Sequence, residues 1–439
     1  MSGLVPPLGE EPRRAPSGNL VPVLVVASAA VTLAVGLIAR AAGVNWGAPA
    51  QPLFVIYRPV LSGWGLLAVA ALGTALFAAL QLRRAPLRPL PFAAALFGLT
   101  VFTRLALNLA RRGPEDWYHV FVVRETGEGR LEYLPALSEL RDGVGHFLDR
   151  FDAIVPNLPV HPSGHPPGMV LTLHWLGIDT AEGAAALVIL AGALATPVLY
   201  ALARDLFDEA TARTAALLFV FVPTSLLYGA TSADALFATL GLLAAAGLVS
   251  ARRDLLLGGA AMLAVASFYS YALLGAAVWA LLVRWRRFGF ADAFRAGALC
   301  AVAVVGLYLA LFLATGFDVL AAIRATEDAY REGIASIRPY AFYFFGSPTA
   351  FLIMLGVATW FAARSLAVRE VTALALAVVI LISVVGGYTK AETERIWFFL
   401  VPFACLAAAR GLRGTRLAPV LVALAVQAIA FQVLFDTRW

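Results

Sequence analysis

The chain consists largely of a series of apolar runs, each about as long as a membrane-spanning helix. A run of roughly 17 to 25 apolar residues matches the hydrocarbon thickness of a bilayer. Hydrophobic residues make up 61% of the 439 positions and charged residues 14%, which leaves too little polar surface for a soluble domain. We therefore predict an all-α polytopic membrane protein with about thirteen spans. The predicted runs are 20–39, 60–82, 91–110, 183–203, 211–228, 232–250, 254–268, 270–285, 293–315, 341–363, 370–387, 396–411 and 418–436.

Arginines between these runs predict how the chain is oriented. Cytoplasmic connections are enriched in Lys and Arg, and arginines recur here at alternate connections, whereas the turns at 228–234 and 269–271 carry neither residue. We predict a cytoplasmic tail over 1–19 and a single transmembrane domain over 20–436. This bias accounts for the net charge of +6, and no nucleic-acid partner is implied. The arginines are Arg83, Arg84, Arg88, Arg252, Arg253, Arg284, Arg286, Arg287, Arg364, Arg369, Arg410, Arg413 and Arg416.

Two connections are long, and both are predicted to lie outside. The first, 111–182, has apolar residues at helical spacing over 131–151, which predicts a helix lying in the membrane interface. The segment 165–177 is too short to span and is also expected at the interface. The second connection, 316–340, predicts another outer amphipathic helix. The spaced apolar residues are Leu134, Leu137, Leu140, Val144, Phe147 and Phe151 in the first, and Leu320, Ile323, Tyr330, Ile334 and Ile337 in the second.

Polar residues next to the predicted spans collect on the outer side. Charged groups at a membrane are costly and need a reason to be there, so we expect the chemistry at this outer boundary. Cys300 and Cys405 both lie in apolar runs and are interpreted as buried hydrophobic residues. The outer polar residues are Glu115, Asp116, Glu132, His161, His165, Asp234, Lys390, Glu392, Glu394 and Arg395.

Basic residues in two of these segments have more than one interpretation. Lys390 is the only lysine of the chain, and with Arg395 it is either a phosphate contact or a solvated loop charge. His161 and His165 are four apart, which on a helix would suggest a metal pair. Their proline-rich surroundings argue against a helix, so orienting a substrate or phosphate is favoured over metal binding, with a structural turn as the alternative.

Four segments together resemble the GT-C glycosyltransferases, the membrane enzymes that use polyprenyl-phosphate-linked sugars. The resemblance is to the branch of the protein O-mannosyltransferases and aminoarabinose transferases, with actinobacterial-like features, and it covers about 91–411. The segments are "EYLPAL" with Glu132, "HPPG" with His165, "VPTSLLYGATSADALF" with Asp234, and "ETERIWFFLVPF" with Arg395. The chain departs from the family in three places. Glu132 stands where an Asp-Glu pair is commoner, His165 stands where relatives often carry lysine, and Tyr269 and Tyr271 stand where some relatives carry lysine.

The resemblance implies a function for most of these residues. It makes Glu132 the general base, with Asp116 as second choice, because Glu132 lies 33 residues before His165 and Asp116 lies 49 before it. It implies that the donor phosphate is held by His165, Arg395 and Lys390. Residues expected to bind or orient the substrate are Tyr133, His161, Asp234, Glu392 and Tyr269.

The implied reaction is inverting transfer of a sugar from a polyprenyl phosphate to a hydroxyl of a glycan, glycolipid or protein. It would take place in the lipid bilayer of a bacterial plasma membrane, with the N-terminus cytoplasmic and the site outside. A divalent cation, Mg²⁺ or Mn²⁺, is left open, with Asp234 as a ligand.

Two alternative functions are consistent with the same spans and outer polar residues. A lipid-linked glycan polymerase or ligase would share the outer site. A transporter or flippase of lipid-linked sugars would instead place ionisable residues near the midplane of the bilayer. Here the acidic residues are expected in outer connections, and the most plausible charge inside the membrane is Arg104, near an end of its run.

Overall fold

The computed structural model describes residues 19–412 and 416–437 and is built almost entirely of helices. The predicted all-α class is confirmed. The predicted tail lies outside the described residues, except for Asn19. A short antiparallel pair, β1 (Ile56–Tyr57) and β2 (Phe435–Asp436), joins the segment after the first helix to the end of the chain.

Helices occur at every predicted apolar run. The first half of the chain contains α1 Leu20–Ala41, α2 Gly63–Arg84, α3 Pro89–Arg112, α4 Asp116–His119, α5 Val144–Asp149, α6 Phe151–Ile154, α7 Val160–Ser163, α8 Gly168–Trp175, α9 Ala181–Ala193, α10 Ala195–Leu206, α11 Glu209–Phe221 and α12 Pro223–Leu227. The second half contains α13 Asp234–Val249, α14 Arg253–Ser267, α15 Leu274–Phe288, α16 Phe290–Thr315, α17 Val319–Glu332, α18 Tyr340–Leu355, α19 Ala358–Ala367, α20 Val371–Gly386, α21 Thr393–Ile396, α22 Val401–Gly411 and α23 Leu417–Leu434. Short 3₁₀ helices are Glu128–Leu131, Leu134–Leu140, Val155–Asn157, Tyr271–Leu273, Ile334–Ile337 and Trp397–Leu400.

The number of membrane-length helices is smaller than predicted. Within residues 19–412 and 416–437, six helical stretches are long and apolar enough to cross a membrane, or seven if α18 and α19, bent by 116°, count as one span. Helices α13 and α20 are apolar but have only 16 residues, about 24 Å at 1.5 Å per residue. The expected thirteen spans are therefore not confirmed, because many apolar runs form helices shorter than the bilayer core.

Protein burial explains why several runs are apolar on every side. Helices α11, α12 and α22 lie in the core, and nearly all their side chains are buried. Helices α1 and α16, by contrast, leave most of their apolar side chains exposed. A helix apolar on all sides is buried either by protein or by lipid, and hydropathy alone does not separate the two. Cys300 and Cys405 are both free and buried, as predicted.

The first long connection does not form the predicted interface helix. The region 131–151 is divided into a 3₁₀ helix, α5 and part of α6, and Gly143, with φ of 95°, separates the first two. Its side chains at Leu140, Phe147 and Phe151 are buried in the main core. Helix α8 is also buried over residues 168–171 and at Leu173, whereas Trp175 at its end is exposed. The apolar spacing in this connection therefore reflects packing against protein.

The second long connection does contain the predicted amphipathic helix. Helix α17 lies between α16 and α18, and it is followed by the 3₁₀ helix Ile334–Ile337. The apolar side chains of Leu320, Ile323 and Ile337 are exposed. Its 14 residues extend only about 21 Å, which is too short for a span.

The contact of α22 with α19 allows a stability test. A Cβ at Gly411 would overlap the carbonyl oxygen of Phe361, which is backbone and cannot rotate away. We expect Gly411→Ala to destabilise the fold by about 1–3 kcal/mol, as measured by thermal unfolding in detergent. Gly258 on α14 is the matched control, because a Cβ there meets nothing within 4 Å and alanine favours a helix by about 0.5–1 kcal/mol. Equal melting temperatures for the two variants would contradict this packing.

Candidate functional site

Three connections meet to form the candidate site. The connection between α3 and α9 supplies Glu132, Tyr133 and the histidines, the turn before α13 supplies Asp234, and the connection before α22 supplies Arg395. Charge interactions link Glu132 to both Asp234 and Arg395. The residues of all four segments quoted for the GT-C resemblance are therefore brought together, although they are up to 263 positions apart (395 − 132).

Glu132 is a deeply buried carboxyl group. It lies between two 3₁₀ helices, its side chain is 2% exposed, and its Oε1 is 3.5 Å from Nε2 of His161. Its pKa is raised to about 8, chiefly by burial; Arg395 opposes the shift, and the nearby Asp234 acts in the same direction as burial. Glu132 is therefore largely protonated at pH 7 in the free protein and becomes a carboxylate as the pH rises through about 8.

The two histidines are neutral groups of this site: His161 lies beside Glu132, and His165 interacts with Asp234 and Arg395. His161 lies in α7, a one-turn helix in which Pro162 falls in the first turn, where its missing N–H is not needed. This helix ends at Ser163, so no helix carries both histidines. Burial lowers the pKa of His161 well below 6.5 and that of His165 to about 4, with Arg395 acting in the same direction on both. At pH 7 both imidazoles can donate and accept hydrogen bonds without carrying charge.

A group of linked ion pairs lies next to Glu132. Arg395 donates through Nη1 to Oδ2 of Asp234 at 2.6 Å, and its Nη2 is 3.3 Å from Oε2 of Glu392. The hydroxyl of Ser232 also donates to Oδ2 of Asp234 at 2.6 Å. Burial opposes the charge of Arg395, but Asp234 and Glu392 outweigh it and raise its pKa. Arg395 therefore remains a cation.

Aromatic rings form one side of the site. The ring of Tyr133 is 6.2 Å from that of His161 and 6.4 Å from that of His165. Phe237 lies 5.3 Å from His165 and 6.1 Å from Tyr269. The hydroxyl of Tyr269 is hydrogen-bonded to that of Thr172 at 2.6 Å. Tyr269 therefore belongs to the site, through ring packing.

Two of the residues predicted for the site have different surroundings. Asp116 is buried against Arg112, with Oδ1 2.9 Å from Nη1. Burial raises its pKa, and the charges acting on it come from Arg112 and His119. The main-chain oxygen of Lys390 accepts from Arg338. Its ammonium makes no hydrogen bond or ion pair with the rest of the chain that the structure describes.

The sequence interpretation missed one buried charged residue, Arg338, and gave no role to another, Glu394. Arg338, between α17 and α18, contacts Glu392 through Nη2 at 2.6 Å, and its side chain is 2% exposed. Its position in a connection predicted to lie outside was the only available signal. Glu394, noted only as part of a charged segment, accepts from the N–H of Phe54 at 2.6 Å, and burial raises its pKa to about 7.

Arg104 lies in α3, about two turns before the last residue of the helix, Arg112. Its side chain is fully buried, donates to Ser225 at 3.2 Å, and lies over the ring of Phe398 with 5.9 Å to the centroid. A Cβ at Gly229 would overlap this guanidinium. Arg104 thus holds α3 against α12 and the 3₁₀ helix before α22.

A metal ion does not fit the side chains as they are arranged. In the described ranges, no three His, Cys, Asp or Glu side chains are grouped so that they could hold one. Asp234, the metal ligand considered from the sequence, accepts hydrogen bonds from Arg395 and Ser232. No step of the mechanism is therefore derived through a metal.

Comparisons with known proteins give no identification. No protein-family model matches this chain, and no curated protein matches it. The inference about function therefore rests on the chemistry of the site formed by Glu132, His161, His165, Asp234 and Arg395.

Proposed function

We propose that the protein is a GT-C-type membrane glycosyltransferase that transfers a sugar from a polyprenyl phosphate to an acceptor hydroxyl. The main support is the buried Glu132, which lies beside His161 and interacts with the Asp234–Arg395 ion pair. A buried acid next to a held cation is the arrangement expected where a proton and an anion are handled together. The acceptor would be a glycan, glycolipid or protein.

The mechanism begins with proton removal. The acceptor hydroxyl attacks the anomeric carbon, and the carboxylate of Glu132 takes its proton as general base. The bond from that carbon to the phosphate oxygen breaks in the same step, so the configuration is inverted. Arg395 stabilises the charge that develops on the phosphate, and the neutral His165 donates a hydrogen bond.

In this proposal the lipid part of such a donor occupies an apolar groove, whose wall does not include Glu132, His165 or Arg395. The groove has a volume of about 430 Å³ and lies between α2, α3 and α9. Its wall includes Phe102, Leu105, Trp117, Ile189 and Leu190. In this proposal the membrane is a bacterial plasma membrane, the shorter apolar helices add to the spans up to about thirteen, the N-terminus is cytoplasmic, and α17 lies in the outer interface.

Sugar transfer can be tested directly. Purified protein in lipid nanodiscs is incubated with a panel of radiolabelled polyprenyl-phosphate sugars and with glycan, glycolipid and peptide acceptors. Transfer from one donor, with release of polyprenyl phosphate, is the expected result. Translocation of the same lipids in vesicles without any transfer would contradict the proposal and favour a flippase.

The raised pKa of Glu132 predicts the pH dependence of transfer. Because the base acts as a carboxylate, the rate is expected to rise with pH and to level off above about 8. At about pH 6 the rate should be about 10- to 100-fold below the plateau, since each pH unit below the pKa reduces the carboxylate fraction about tenfold. Initial rates at subsaturating donor provide the measurement. A flat profile between about pH 6 and 8 would contradict the assignment.

A further inference from the structure

Glu392 lies between two arginines, and its distances to them differ. Its Oε1 is 2.6 Å from Nη2 of Arg338, whereas its Oε2 is 3.3 Å from Nη2 of Arg395. Arg395 is in turn closer to Asp234, at 2.6 Å. The nearer partner of Glu392 is therefore Arg338, and the nearer partner of Arg395 is Asp234.

Arg338 also holds the backbone that carries Glu392. Its Nη1 donates to the main-chain oxygen of Lys390 at 2.6 Å, and the N–H of Lys390 donates to the hydroxyl of Tyr330 at 2.7 Å. The next two residues, Ala391 and Glu392, have φ of 64° and 58° without being glycine. Such conformations cost about 1–3 kcal/mol each and persist where surrounding contacts impose them. Arg338 and Tyr330 are contacts of this kind.

The charges of these four linked side chains balance in pairs. Two are cations, Arg338 and Arg395, and two are anions, Asp234 and Glu392. All four side chains are nearly excluded from water. Removing the cation from a buried carboxylate is strongly unfavourable. If Arg395 were the sole partner of Glu392, turning one arm of Arg395 toward a ligand would leave that carboxylate uncompensated.

We propose that Arg338 is a positioning residue that keeps Glu392 neutralised, so that Arg395 can exchange the Glu392 carboxylate for the phosphate of a lipid donor. The proposal rests on the proposed function. In the exchange, the contact of Arg395 Nη2 with Glu392 Oε2 opens, and the same N–H groups donate to a phosphate oxygen. Asp234 keeps Nη1 in place throughout, and Glu392 stays bonded to Arg338.

The neutralising role is tested by melting temperature, without any ligand. Arg338→Met is expected to lower the melting temperature by about 5–10 °C, since it leaves Glu392 short of a cation. Adding Glu392→Gln should recover at least half of that loss, because the carboxylate is then removed as well. Arg331→Met breaks the exposed pair with Glu327 and should change little. No recovery in the double variant, or no loss in Arg338→Met, would overturn the role.

The exchange is tested by binding of sugar-free polyprenyl phosphate to protein in nanodiscs, with neutral polyprenol as the comparison lipid. Arg338→Met should weaken phosphate-lipid binding at least about tenfold, which is the loss of one charge-assisted contact, and leave polyprenol binding unchanged. The double variant should return to within about threefold of wild type, and Arg338→Lys, which keeps the charge, should lie between. Equal loss for both lipids would indicate a merely structural role and overturn the exchange.

Failure of the proposed function has a separate signature. If the wild-type protein binds polyprenyl phosphate no better than polyprenol, the lipid-phosphate donor and the exchange are both overturned. The melting-temperature comparison then decides alone whether Arg338 neutralises Glu392.

Discussion

Glu132→Gln is expected to abolish sugar transfer while the protein remains folded. Glutamine keeps the size of the side chain and can still hydrogen-bond to His161, 3.5 Å away, but it cannot take a proton from the acceptor. A positioned general base contributes about 10²–10⁴-fold to rate, so transfer should fall by about that factor. The measurement is single-turnover transfer with saturating donor, together with donor binding, which should be unchanged.

Asp116→Asn is the matched control for that variant. Asp116 is also a buried acid, but it is paired with Arg112 and its contacts do not lead to Arg395. We expect nearly unchanged transfer, accompanied by some loss of stability from the broken ion pair. Normal turnover by Glu132→Gln, with loss in Asp116→Asn, would transfer the role of base to Asp116.

Arg395→Lys is expected to lower transfer by about 10²–10³-fold, the range found when one group that stabilises developing charge is removed. Lysine keeps the charge but lacks the fork that contacts Asp234 and Glu392 from two nitrogens. The positive charge next to the phosphate would then lie at a different position. The measurement is transfer rate and polyprenyl-phosphate affinity, with melting temperature as a check that the protein is folded.

Lys390→Met tests which of two basic residues, Lys390 or Arg395, contacts the donor phosphate. The main chain of Lys390 is held by Arg338 and Tyr330, so the substitution leaves those bonds in place. We expect less than about a threefold loss, as is usual for a solvated charge. A larger loss than in Arg395→Lys would make Lys390 the phosphate contact.

Much of the site could be predicted because its residues stand out against an apolar background. A charged residue beside an apolar run is costly unless it serves a purpose, and this reasoning selected ten outer polar residues. The GT-C resemblance then singled out Glu132, His165, Asp234 and Arg395 among them. The structure brings these residues together. Their roles in sugar transfer stay predictions.

Arg338 could not be predicted in the same way. Its connection contains other charged residues, such as Arg324, Glu327 and Arg331, and nothing in their order separates a solvated arginine from a buried one. Its importance comes from an ion pair with Glu392, which is 54 positions away. Side-chain pairing over such distances depends on how α17 and α18 pack.

Local composition and periodicity are enough to predict that the chain is helical, where its apolar runs lie, and which polar residues are unusual. Which apolar faces are covered by protein and which are exposed depends on how the helices pack, and this is why the thirteen runs do not equal thirteen membrane-length helices. The protonation of Glu132 and the partners of Arg395 depend on packing as well. Both depend on burial and on charges from distant segments, which come together only when the helices pack.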